Sequence, residues 1–171
     1  MHVFVDESYR TSYLLVATYL LPADLGAVRA ELRGMCRPGQ WRIHFHKESD
    51  RRRKTIISVL RATAASARVY EIRGPQERAR AAGLTELVTQ LSEVRAQLLI
   101  LETRGHHRDA ADRQVIYDAL QKGGFEVVYR HVEPRHEPLL WISDAIGWAY
   151  GAGGDWARRV HPMISKVVTL P

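Results

Sequence analysis

The stretch Val3-Phe4-Val5-Asp6-Glu7-Ser8 constrains the chain more than any other. It is a short apolar run that stops at two carboxylates and a hydroxyl. Such a run forms a buried β-strand and delivers its last residues to one rim of a sheet, where open α/β sheets build their sites. The same residues also suit a plain polar turn after a strand. What Asp6 does therefore depends on which later residues meet it.

The elements that follow decide the fold class. Ser12 to Leu21 is β-rich and almost continuously apolar, so it pairs with the first strand as a hairpin, and Pro22 ends it. Ala23 to Arg33 carries Leu25, Val28 and Leu32 at helical spacing, with Gly34 past the end. Trp41 to His46 alternates with period two: Trp41, Ile43 and Phe45 against Arg42, His44 and His46. This predicts a strand. Asp50 is read as the cap of a helix to about Ala65, Arg68 to Ile72 as a strand, Gln76 to Val94 as a helix and Gln97 to Glu102 as a buried strand. His107 to Gln121 follows as a helix stopped by Gly123-Gly124, then a strand from Phe125 to Val132 and a helix from Pro138 to Tyr150. Strands alternating with helices predict an α/β three-layer fold, with helices on both faces of a mixed central sheet that begins with an antiparallel hairpin.

The chain has 171 residues, which predicts one domain over 1–171. Its longest apolar run, Tyr13 to Leu21, is too short to span a bilayer. Two acids near the N-terminus argue against a signal peptide. A single cysteine, Cys36, excludes an internal disulfide and a multi-cysteine zinc site. A cytoplasmic, bacterial-type protein is expected. The formal charge of +6, from 25 basic and 19 acidic residues, favours a polyanionic partner such as nucleic acid.

Several residues break local rules. Asp144 lies on a helix that is apolar almost all round and shares a face with Trp141 and Trp148. A carboxylate there needs a cation or hydrogen bonds. It is either functional or a structural acid satisfied by a backbone amide or an arginine. Glu102 ends an apolar strand as Asp6 does, and it reads equally as site residue or turn residue. Asp109 and Asp112 sit in a first helical turn, where the helix dipole already favours them. Arg51, Arg52, Arg53 and Lys54 lie at a helix start, where the dipole disfavours cations. With free backbone N–H groups they suit a phosphate, so this cluster and the preceding His46 and Lys47 are candidate nucleic-acid contacts. His44 and His46 share a strand face as potential metal ligands, but no third nearby His or Cys completes a zinc site.

The motifs Val5-Asp6-Glu7-Ser8 and Leu140-Trp141-Ile142-Ser143-Asp144-Ala145-Ile146-Gly147 bracket nearly the whole chain. In that order, with α/β content between them, they resemble the ribonuclease-H-like superfamily. The resemblance is to a poorly characterised bacterial group that opens with a D-E-S strand end and carries a late-helix Asp. It implies a nuclease with a two-metal carboxylate site, binding Mg2+ or Mn2+. Asp6 and Asp144 match the first-strand and late-helix acids, Glu102 the acid ending a middle strand, and Glu48 the fourth acid. Here the chain departs from the well-studied ribonucleases, since a helix comes before Glu48. Glu133, His136 and Glu137 precede the last helix, from which a further ligand can come. The implied substrate is RNA or an RNA-containing duplex. The alternative is a nucleic-acid-binding or interaction module that keeps the fold without catalysis.

Overall fold

Residues 1–171 are described by a computed structural model. β1 (His2–Tyr9) and β2 (Tyr13–Leu20) form the expected antiparallel hairpin, with Val5 opposite Ala17 and Tyr9 opposite Tyr13. β2 is buried at every position because both its edges and both its faces are covered. Its second edge pairs antiparallel with β3 (Ser66–Ile72). β4 (Leu98–Glu102) lies parallel to β1, and β5 (Val128–Val132) lies parallel to β4. β6 (Ile164–Leu170) runs parallel to β3. The sheet order is β5-β4-β1-β2-β3-β6.

Two cores lie on the two faces. Phe4, Val16 and Ile100 pack against α1 (Leu25–Gly34), α2 (Asp50–Ala62), α5 (Leu140–Ala152) and the end of α6 (Gly154–Val160). Val3, Val5, Leu15 and Leu101 pack against α3 (Gln76–Thr89) and α4 (His106–Gly123). The strands supply both cores because successive side chains point to opposite faces. No helix is long and apolar enough to cross a membrane.

The segment 41–46 is not a strand, which corrects the sequence reading. It is irregular and passes into a short 3-10 turn, Phe45–Lys47. The reason is topological: β1 is flanked by β2 and β4, and β2 by β1 and β3, so no central edge remains to pair with it. Ile43 and Phe45 are still buried, but Trp41 is exposed. Asp50 is not the cap of α2. Ser49 is, its hydroxyl accepting the Arg52 N–H at 3.4 Å, and Asp50 is the first helical residue. The helix read to Val94 ends at Thr89, before a turn in which Arg95 takes φ +50°.

Candidate active site

The side-chain parity of two neighbouring strands assembles the site. On β1, Phe4 faces the α5 side and Val5 the α3 side. Asp6 therefore shares the face of Phe4, and Glu7 that of Val5. On β4, Ile100 faces α5, so Glu102 does as well. The parallel register that sets Val5 against Leu101 brings Asp6 beside Glu102 one residue later.

α5 supplies the third acid. The Ser143 hydroxyl donates to the Phe4 carbonyl at 2.9 Å and lies 2.8 Å from the Thr18 hydroxyl, which fixes the rotation of the helix. Gly147 sits where a Cβ would meet Ser8 Cβ at 3.1 Å and Val16 Cγ2 at 3.3 Å, so a side chain here would press the helix away from β1 and β2. Asp144, next to Ser143, then opens into the same groove as Asp6 and Glu102. This groove has a volume of about 350 Å³, and Arg42, His44, His46, Arg104 and Trp148 also line it.

The charges of neighbouring acids bear on Asp6 and Glu102. Burial pushes the Asp6 carboxyl well above the usual carboxylate range, and the charges of Glu102, Asp144 and Glu7 push it further. The Glu7 N–H, donating to Asp6 Oδ1 at 2.8 Å, opposes this only in part. Burial raises Glu102 too, against the pull of Arg42 at 3.5 Å. Asp144 is half-buried rather than enclosed. Its Oδ2 accepts the Phe45 N–H at 3.1 Å and faces His44 Nδ1 at 3.9 Å. The backbone-amide partner weighed for it in the sequence therefore exists. His44 Nδ1 itself is buried without a hydrogen-bond partner.

This donor set fits a hard divalent cation. Its acids are oxygen ligands with mutual repulsion that a cation would relieve. The ligand atoms of the three do not all lie within 4.8 Å of one another, however, so they are less closely gathered than the sequence reading expects. The one trio whose ligand atoms all lie within 4.8 Å of one another is Asp109, Asp112 and His131.

That trio is a poor metal site despite its compactness. Asp112 already accepts from Arg80 at 2.8 Å and Arg104 at 3.0 Å, and lies 3.3 Å from His131 Nε2. Although burial opposes it, hydrogen bonds from His131 and Arg80 and the charges of Arg80 and Arg104 hold the Asp112 carboxyl well below its ordinary range. A metal ion would face two guanidinium groups. Asp109 accepts the Arg104 N–H at 2.8 Å and also takes the Thr103 hydroxyl. Glu7 joins this network from β1, pairing with Arg80 and, at 3.8 Å, with Arg104. It is an ion-pair foundation beneath the groove. Arg80 was visible in the sequence as a cation on the apolar face of α3, in step with Leu84, Leu87 and Val88. Arg42 gave no comparable signal.

Other candidates lie elsewhere. Glu48 is buried in a clamp of Arg52 Nε at 2.9 Å, Arg37 at 3.5 Å and Gln40 at 2.7 Å, and it does not line the groove. Arg52 also donates to the Met35 carbonyl. Arg53 pairs with Asp50 at 2.7 Å, donates to the Phe45 carbonyl at 3.0 Å and lies 4.2 Å from the Trp148 ring centroid. Two of the four clustered cations are thus committed to the fold, and Arg51 and Lys54 stay exposed. His46 lines the groove, whereas Lys47, the last residue of the 3-10 turn, is exposed and does not line it. Glu137 is held by Arg29 at 2.7 Å, outside the groove. Glu133 and His136 line a neighbouring trough.

No protein-family model and no curated protein matches the chain. Among solved structures, the PCNA:RNase HII complex from Archaeoglobus fulgidus is similar, with a TM-score of 0.53 over 86% of this chain and 70% of that one at 14% identity. The chain has a ribonuclease-H-like fold. At this identity the likeness speaks for the fold alone.

Proposed function

We propose that residues 1–171 act as one domain, a divalent-metal-dependent nuclease that hydrolyses phosphodiester bonds of RNA or an RNA-containing duplex. One observation carries this reading: three carboxylates from three separate elements, Asp6, Glu102 and Asp144, open into one groove, where two of them are raised by burial and by their neighbours. Such an arrangement is unfavourable without a cation, so it has no evident structural use.

Asp6, Glu102 and Asp144 would hold Mg2+ or Mn2+. A pair of such ions held there would supply an activated water and stabilisation of the leaving oxygen. The rest belongs to the protein. The Glu7 N–H orients Asp6, and the Phe45 N–H orients Asp144. Arg42 holds Glu102 until a phosphate competes for its guanidinium. His44 presents an unpartnered ring nitrogen beside Asp144. Arg51 and Lys54, with His46 and Lys47, would position the nucleic-acid backbone without reading its sequence.

Labelled RNA, DNA and RNA–DNA hybrid, incubated with Mg2+, Mn2+ or EDTA, test the proposal. Cleavage of RNA-containing substrates is expected in either metal, with none in EDTA and none by Asp6→Asn. Cleavage that survives EDTA or Asp6→Asn would overturn it. The Arg42–Glu102 pair favours a second reading, a nucleic-acid-binding module without catalysis, because a cation already occupies one acid. Metal-independent binding with no cutting would select that reading.

A further inference from the structure

Trp41 is the most exposed large apolar side chain of the protein, at 85%. It borders an open trough of about 650 Å³ lined also by Arg42, Glu133, Pro134, Arg135 and His136. Arg42 lines the carboxylate groove as well, so the two depressions share one wall.

Contacts anchor the chain on both sides of the trough. On one side, Ile43 and Phe45 are buried and the Phe45 N–H is tied to Asp144. On the other, Trp141 Nε1 donates to the Pro134 carbonyl at 2.6 Å, and the His136 N–H donates to the Glu133 carbonyl at 2.9 Å. An exposed tryptophan on a fixed backbone is a ready stacking surface, since little conformational freedom is lost when a ring lies on it.

The chemistry of the lining selects the occupant. Arg42, Arg135 and His136 stand against one carboxylate, Glu133, which Arg135 meets at 2.6 Å. Trp41 is the one hydrophobic residue of the lining, too little for the apolar centre of a protein interface. An aromatic face flanked by guanidinium groups suits a base and its phosphates. In a duplex the bases are already stacked on each other, so only an unpaired base can take the Trp41 face.

We propose that this trough binds an unpaired strand of nucleic acid next to the bond that is cut, with one base stacked on Trp41 and the flanking phosphates held by Arg42 and Arg135. The proposal rests on the nuclease reading of the adjoining groove. It narrows the substrate to one with a single-stranded segment on this side.

The test uses the whole chain in EDTA, so that binding is measured without cutting. Tryptophan emission and anisotropy are followed with a short single-stranded RNA, a blunt RNA–DNA duplex and the same duplex with an RNA overhang. Single strand and overhang should quench emission, whereas the blunt duplex should not. Trp41→Ala should abolish the quench and weaken single-strand binding roughly tenfold to a hundredfold, the loss expected for one base stack. Trp41→Phe, which keeps a ring, should lose much less affinity. Thermal melts check that both variants fold as the parent does. Unchanged single-strand affinity in a folded Trp41→Ala protein would overturn the proposal, as would equal quenching by blunt duplex or no saturable binding at all. Cleavage in Mg2+ or Mn2+, measured in parallel, separates the two claims. Asp6-dependent cutting with Trp41-independent binding sinks the trough alone. A Trp41-dependent quench with no cutting in any metal sinks the nuclease reading alone.

Discussion

Replacing Asp144 with asparagine separates a metal-holding acid from a structural one. Asparagine keeps an oxygen to accept the Phe45 N–H now bonded to Oδ2 at 3.1 Å, so the local hydrogen bonding survives. What disappears is a negative charge that helps to raise Asp6. An acid raised in the folded state costs stability once pH exceeds its ordinary range, because the unfolded chain then holds fewer protons. That cost begins as pH rises through the ordinary carboxylate range and is complete above the raised folded value. Removing the Asp144 charge lowers the Asp6 value and so reduces the cost. One pKa unit of relief is worth about 1.4 kcal/mol. In EDTA at neutral pH, Asp144→Asn should therefore melt at or above the parent, by up to about 3–6 °C for a chain of this size. Magnesium at a hundredfold its dissociation constant should stabilise the parent by about 2.7 kcal/mol and the variant by much less. Asp144→Ala is the control: it orphans the Phe45 N–H and should cost about 1–3 kcal/mol with or without metal. The assay is a set of thermal melts of the three proteins in EDTA and in magnesium, with hydrolysis measured alongside. An Asp144→Asn protein that melts several degrees lower in EDTA, responds to magnesium like the parent and still cuts would refute the reasoning.

Arg51→Gln with Lys54→Gln should flatten the slope of log affinity against log salt by up to about two units, since each phosphate contact contributes about one; binding at a series of salt concentrations reads this. Arg53→Gln should instead lower the melting temperature, because it strips the cation from Asp50, the Phe45 carbonyl and the Trp148 ring. Arg80→Ala leaves Asp112 and Glu7 without their main partner beneath the site and should cost about 3–5 kcal/mol in a denaturant titration, as breaking a buried ion pair does. Gly147→Ala drives a methyl group to 3.1 Å from Ser8 and 3.3 Å from Val16 and should cost about 1–3 kcal/mol while lifting α5 off β1, with hydrolysis falling further than stability alone explains.

The strand-and-helix order was legible in the sequence, because periodicity reports burial and burial reports layers. The hairpin and the covered sheet follow from the apolar runs, the interest of Asp6 and Glu102 from runs that end in an acid, and that of Asp144 from its place inside an apolar helix. Residues 41–46 show where that logic fails. Their alternation was real, since Ile43 and Phe45 are buried, yet a strand also needs a free edge, and the central edges are taken. β6, half-exposed at the rim of the sheet, is absent from the sequence reading although Val168 and Leu170 share one of its faces. Which charges pair was beyond the sequence, even where a lone cation such as Arg80 on the apolar face of α3 stood out. Glu48 and Glu102 are both acids near apolar residues, and only the fold gives one to an arginine clamp and the other to the groove. Arg51 to Lys54 are alike as letters, but the helix turns Arg52 and Arg53 inward and leaves Arg51 and Lys54 outside. Sequence pattern fixes which face a residue takes along its own element. Which residues of distant elements then meet is set by strand register and helix rotation, here by the Val5–Leu101 pairing and by Ser143 on the Phe4 carbonyl.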